Sequence, residues 1–514
     1  AAVLIWQSTG ITMKNINAHY LHGFGIVGQL SKDITLENVS FRARPESGRT
    51  TASFADFVQM SSVGGKVTIK DCDFSAAHDD PINIHGTFLT VESVSADGKT
   101  LTVKYRHNET AGFPQFYVGD TVDFSTKGTM VPLEDSTRTI AAVTDNGWGK
   151  DTMTIVLNES VTGLTGNAQY VIENVTYTPE VEITGCRFTS IPTRGILVTT
   201  RKPVRIENNL FDAMNMASIY ISCDAQGWYE SGHTEGVTIR NNIFLRPGSE
   251  CILVSPTGTN DPNHQLHTNM TIEDNTFFLE RSVQVVNAKS VRNLTIRNNS
   301  VMRYQPDVKL ALTGNPSVGV GATVQLTANG SGAELGSQLY RFENCKEVKL
   351  ENNRYDGGLN QKIELTAGTG TSDLTITGDD LKIGADNKTN PLGKISYWSS
   401  DPAVLTVNER GEVTGVSVGT AEVRAIAVTG TSSFISEPLS IEVTGGSTAP
   451  AAGAIHVAAG KTLLDKGEKT QMTADPDDGV TWSVSDSTVA EIDNTGLLTA
   501  KTGGVVEVIA TKDG

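Results

Sequence analysis

The chain has 514 residues, too many for one core, and its 58 acids against 41 bases leave a net charge of −17. That balance argues against nucleic acid or anionic membrane as a partner and suits a soluble protein acting on neutral ligands. Five cysteines without CxxC spacing argue against a zinc site and a disulfide scaffold, and no apolar stretch is long enough to span a membrane.

The chain opens on AAVLIW, which reads as mid-strand, and closes mid-pattern on ATKDG. The expectation is a fragment whose signal peptide and first structural turns lie outside it. Short runs rich in Val, Thr, Ile and Asn follow, with no long amphipathic helical pattern, so the class is all-β. One pattern recurs from Ile11: ITLENVSF from Ile34, VTIKDCDF from Val67, VEITGCRF from Val181 and VRIENNLF from Val204. It continues as VTIRNNIF from Val237, MTIEDNTF from Met270, LTIRNNSV from Leu294 and VKLENNRY from Val348. The base period is about 23 residues with insertions, which is the mark of a solenoid.

Side chains choose the solenoid. The third position is aliphatic throughout, from Met13 and Leu36 to Ile296 and Leu350, and the eighth is mostly aromatic, from Phe41 to Tyr355. The sixth is Cys72, Cys186, then Asn209, Asn242, Asn275, Asn299 and Asn353. An inward Asn on each turn can bond the backbone of the next, so this is a right-handed parallel β-helix. A second strand follows each copy, centred by a fixed offset on Ile26, Ile82, Ile196, Ile219, Ile252 and Val285, with a delayed one on Val58. Two residues earlier stand Phe24, Asp56, Asp80, Arg194, Ala217, Glu250 and Val283. Equivalent positions stack about 4.8 Å apart, so Asp56, Asp80, Arg194 and Glu250 should share one column, with Asp79 beside it. Three carboxylates on two adjacent turns repel one another, which points to a cation or to acid/base work on a substrate.

Insertions gather round this column. The largest, residues 86–180, carries hairpin alternation around an Asp97-Gly98 turn and reads as an inserted β-barrel. The loop after Ile219 brings Trp228 and Tyr229, a possible stacking wall for a sugar. The resulting division is β-helix 1–85, barrel 86–180, β-helix 181–357, then immunoglobulin-like modules 361–445 and 453–514 joined by a Gly/Ala/Pro-rich linker. In the tail, ISYWSSDPAVLTVNERGEVTG matches VTWSVSDSTVAEIDNTGLLTA nearly position by position, and both resemble bacterial immunoglobulin-like group 2 domains. Such modules are spacers or surface tethers and imply a secreted or cell-surface protein.

The stretch from Asp56 through H-D-D-P-I-N-I-H-G-T resembles glycoside hydrolase family 110, the exo-acting α-1,3-galactosidases. Further matches are ISCDAQGWYESG from Ile221, RGILVTT from Arg194 and RHNETAGFPQFYVGD from Arg106. The resemblance covers residues 1–357 and implies a β-helix with an inserted barrel. It implies inverting hydrolysis of terminal α-1,3-galactose, as on blood-group B or linear α-galactosyl glycans, with no metal or cofactor. It maps the catalytic acids onto Asp56, Asp79 and Asp80; the column itself, with Asp79 and Asp80 pointing differently from one strand, then suggests Asp79 as general acid kept protonated by its neighbours and Asp56 and Asp80 holding the water. Arg194, Asn83, His85, His107, Asp224, Trp228 and Glu230 are the expected galactose contacts. Two departures are expected: the N-terminal turns of the family are missing, with completeness of the pocket at stake, and Cys223 stands where an Asp is expected before Asp224, with a sugar contact at stake. The partner is thus a galactose-terminated glycan; oligomeric state, a homodimer included, is open. Two rivals stand beside this reading: a pectinase- or lyase-like enzyme, which would need several bases near the column, and a non-catalytic adhesin.

Overall fold

A computed structural model describes residues 1–259, 261–304, 308–312, 317–330, 338–355, 362–365, 373–379, 394–429, 432–445, 455–475 and 477–512. Among them there is no α-helix, only β-strands and three short 3-10 turns, and so no helix able to cross a membrane.

The repeat becomes a parallel β-helix because each copy stacks on the next in register. Leu36, Ile69, Ile183, Ile206, Ile239, Ile272, Ile296 and Leu350 pair in sequence and are fully buried. Met13 at one end of the described stack is only half-buried. The eighth position forms a ring stack, Phe41–Phe74–Phe188–Phe211–Phe244–Phe277, with centroids 4.7–5.3 Å apart. The fifth position turns the corner in the left-handed region, where Asn and Asp are the tolerant residues: Asn208 at φ 58°, Asn241 at 54° and Asp274 at 55°. Next to it runs the expected asparagine ladder. The Oδ1 of Asn242 accepts from the backbone of Asn209 at 3.0 Å, and that of Asn275 from the backbone of Asn242 at 2.9 Å. Asp379 ends the ladder on the backbone of Asn353.

The second-strand column runs Val3, Ile26, Val58, Ile82, Ile196, Ile219, Ile252, Val286, Tyr340. The fixed offset therefore slips by one at Val285. The register residue is Val286, and Gln284 rather than Val283 takes the column place after Glu250, its carbonyl accepting from Cys251 N. One extra residue in the preceding loop accounts for the slip.

The insertion is a closed six-stranded antiparallel barrel. Its strands pair in the cycle Ile82–Val94, Thr100–Lys104, Thr152–Leu157, Arg138–Asp145, Thr121–Thr126, Tyr170–Asn174 and back. Strand Ile82–Val94 leaves the solenoid column and enters the barrel without a break, so the barrel grows directly out of the Asp79-Asp80 turn.

The first immunoglobulin-like module differs from the expected 361–445. Strands Val308–Leu312, Ser317–Gly319 and Thr323–Gly330 belong to it, pairing with Glu412–Gly415 and Leu439–Thr444. Gln325 and Gln471 show the equivalence of the two modules. Each donates its amide to the next residue's carbonyl (2.9 and 3.0 Å) and to the turn leading into the neighbouring strand of its sheet, at Arg410 and Thr495 (both 2.7 Å). The chain then returns to the solenoid: Gln338–Glu343, Lys346–Glu351, Lys362–Leu365 and Thr375–Thr377 add strands to its sheets. A further repeat copy, LTITGD from Leu374, thus lies inside the stretch assigned to the module.

Candidate active site

Register brings the acids together. Val58 faces Ile82 and Gln59 faces Asn83, and Phe57 N donates to the Asp80 carbonyl at 3.2 Å, so Asp56 and Asp80 occupy equivalent places on adjacent turns. One carboxylate oxygen from each of Asp56, Asp79 and Asp80 lies within 4.8 Å of the others. Asp56 and Asp80 are 6% and 2% exposed, and Asp79 is half-buried. Asp79 Oδ1 accepts from Asp80 N at 3.0 Å, and both the backbone N and Nε of Arg194 donate to Asp80 Oδ1, at 3.2 and 3.0 Å. Glu250, two turns further along, is engaged elsewhere, accepting from Asn287 at 3.2 Å.

Burial, then repulsion from Asp80, Asp79 and Glu230, pushes the Asp56 carboxyl well above its ordinary range, against a hydrogen bond from Asn83. Burial likewise raises Asp80 to about 6, against the pull of Arg194. The repulsion that the sequence reading expected to protonate Asp79 is thus also exerted by Asp79 on its two buried neighbours. Both raised carboxyls favour the fold only at low pH, and that contribution is lost as pH rises through their native values. For Asp80, held near 6 instead of 3.8, the cost at neutral pH is about 3 kcal/mol. The spacing of the trio would also let it hold a cation.

The other expected contacts separate into two sets. Asn83 and His85 are buried beneath the strand Glu230–Ser231, which pairs antiparallel with Gly86 and Thr87. Asn83 Nδ2 donates to Glu230 Oε1 at 3.1 Å, and His85 Nδ1 to the Gly86 carbonyl at 2.6 Å. His85 therefore supports the site from below, where a direct sugar contact was expected. Asp224 is also spent on its own loop: its oxygens accept from the backbone of Gln226, Gly227 and Trp228 and from Thr257 Oγ1. Cys223 is buried with Phe88, Met130, Val171, Ala225, Tyr229 and Leu266, so its thiol faces a core and not the sugar. Tyr229 goes with it, which removes it from the stacking wall. Trp228 stays exposed and packs against His107 of the barrel, the rings tilted by 35° with centroids 4.3 Å apart. Arg194, Glu230, Trp228 and His107 are the contacts that remain open to a ligand.

Sequence reasoning missed Gln59. Its amide donates to His85 Nε2 at 2.8 Å, while its Oε1 and the Oδ1 of Asn83, both buried, lack a hydrogen-bond partner. Writing out the register around Val58 would have found it, since Gln59 and Asn83 face each other.

Removing the Arg194 charge tests the electrostatics. In Arg194→Met, Asp80 should keep its proton to higher pH, because the guanidinium favours the carboxylate. If Asp80 acts ionised, the acidic limb of kcat/KM should move up by about one pH unit or more. An unmoved limb would remove Asp80 from the titrating group.

Fold and site together define a right-handed parallel β-helix with a buried carboxylate cluster and bacterial immunoglobulin-like modules. Residues 170–400 match the right-handed beta helix region family, and residues 381–435 and 443–514 match the bacterial Ig-like domain (group 2). The chain is similar to the alpha-1,3-galactosidase A of Peterkaempfera griseoplana, 44% identical over 455 residues, 86% of this chain and 62% of that protein. It is 46% identical to that of Streptomyces avermitilis (70% and 54% covered) and 40% identical to that of Bacteroides thetaiotaomicron (68% and 56%). The resemblance drawn from the sequence is borne out by these relatives, of whose length the chain spans between half and two thirds. Likeness to the solved surface protein and adhesin PfbA of Streptococcus pneumoniae, 10% identical with TM-score 0.26 over 68% of each chain, is too slight to bear on function.

Proposed function

We propose that this chain is an exo-acting glycosidase that hydrolyses terminal α-1,3-linked galactose from blood-group B or linear α-galactosyl glycans, with inversion. The observation that carries the reading is the three-carboxylate cluster built from two adjacent turns, in a chain 44–46% identical to proteins named alpha-1,3-galactosidase A. Such a cluster cannot be fully ionised at neutral pH, so it holds a proton for the leaving group and a charge for water. Asp79, the most exposed of the three, gives the proton to the glycosidic oxygen as the bond to C1 breaks. Asp56 and Asp80 hold the water, take its proton as its oxygen bonds to C1 from the opposite face, and the cluster ends with the number of protons it began with. Glu230 and Arg194 would bond the sugar hydroxyls, and Trp228 its apolar face.

A uronate substrate is disfavoured because the nearby guanidinium groups are engaged: Arg201 pairs with Asp123 and Glu173, and Arg194 with Asp80. The immunoglobulin-like modules support a secreted or surface location. Proton NMR of a Galα1-3Gal glycoside with the chain, with and without chelator, is the test. β-Galactose should appear first, at the same rate in both samples. α-Galactose first would mean retention through a covalent intermediate, loss with chelator a cation at the cluster, and binding without release an adhesin.

A further inference from the structure

Phe54 is 68% exposed and stacks on His78, itself exposed, with ring centroids 5.1 Å apart. Phe54 stands two residues before Asp56 and His78 two before Asp80, so the pair repeats the register of the acids one step further out on the same corner. Two residues of chain reach at most about 7 Å, roughly one pyranose ring from the carboxylates. Solvent-exposed rings of this kind add little to a core, and the buried phenylalanine of the segment is Phe57.

We infer that the Phe54–His78 pair is a carbohydrate platform for the sugar on the reducing side of the scissile bond. The inference rests on the function proposed above and extends it to the leaving group. Its direction comes from the two ends of the site. Beyond the acids on the strand side, Asn83 donates to Glu230 and His85 is buried beneath the Glu230–Ser231 strand, which makes that end blind and suits a terminal galactose. On the other side Asp79 is the most exposed acid, and its chain neighbour is His78. A glycan whose last sugar fills the blind end therefore leaves across Asp79 and over Phe54. The apolar face of its second ring packs on the phenyl ring, which His78 backs.

The test compares Galα1-3Gal with α-galactosyl fluoride, whose leaving group is too small to reach the platform, on the full chain and its Phe54→Ala and His78→Ala variants. Phe54→Ala should lose about tenfold or more in kcat/KM on the disaccharide, carried mainly by KM, and stay within about twofold of the parent on the fluoride. His78→Ala should lose less in the same direction, Phe54→Trp should retain disaccharide turnover, and inhibition by free galactose should not move. Equal losses on both substrates, or none on either, would overturn the platform while leaving the galactosidase reading intact. A parent chain that cleaves neither substrate would overturn both.

Discussion

Asp79→Asn should lower kcat on a Galα1-3Gal glycoside by about 10³-fold while galactose still binds with near-parental affinity. General acid catalysis contributes roughly 10²–10⁴-fold, and an unactivated sugar leaving group depends on it fully. Asp56→Asn and Asp80→Asn should fall comparably, and the Asp56/Asp79 double variant should be little worse than either single one, because groups that act as a unit are not additive. Loss of fold is separable from loss of chemistry. Burial and repulsion hold Asp56 well above its ordinary range, so the folded chain keeps a proton there at a cost near neutral pH that an amide does not carry, and Asp56→Asn should melt no lower than the parent at neutral pH. Rapid-quench turnover with galactose calorimetry decides the matter; an Asp79→Asn protein within tenfold of parental kcat would remove Asp79 from the acid role.

The solenoid was legible because one residue type per turn carries one physical job. An aliphatic third position, a ladder Asn and a ring recur at fixed spacing, and the register they define places Asp80 directly and Asp56 once the insertion that delays the second strand to Val58 is recognised. What failed to show depends on tertiary pairing. Asn83 and His85 occupy outward positions of their strand, and only the return of Glu230–Ser231 onto Gly86 and Thr87 buries them. Asp224 reads as a ligand-facing acid by composition, yet its short loop offers three backbone N–H groups that claim both oxygens. The first immunoglobulin-like module hid its own beginning. Residues 308–330 repeat the Gln471 strand of the second module, but the solenoid strands at 338–379 stand between them and their partners, so contiguity along the chain was the wrong guide.

The ladder predicts the largest stability effect away from the acids. Asn242 makes four bonds: its Oδ1 accepts from the backbone N and the Nδ2 of Asn209, each at 3.0 Å, and its Nδ2 donates to the Ile206 carbonyl at 2.8 Å and to Asn275 Oδ1 at 3.0 Å. All of these groups lie in the interior beside the ring stack, where a lost partner is not replaced by water. Asn242→Ala strands two donors of Asn209 and a carbonyl of Ile206 and opens a cavity, for a loss of about 3–5 kcal/mol. Asn242→Asp should cost at least as much, since it keeps the acceptor for Asn209 but sets a buried carboxylate oxygen against the Ile206 carbonyl and Asn275 Oδ1, to which Nδ2 had donated. Chemical denaturation followed by far-UV signal gives the comparison, and a loss under about 1 kcal/mol for the Ala variant would mean the ladder is not what holds the turns together. Because the Asn242 turn sits three steps along the solenoid from Asp80, KM and the pH profile should stay where they are as the midpoint falls. A shift in either would instead mean that strain in the ladder reaches the carboxylate column through the stacked turns between them.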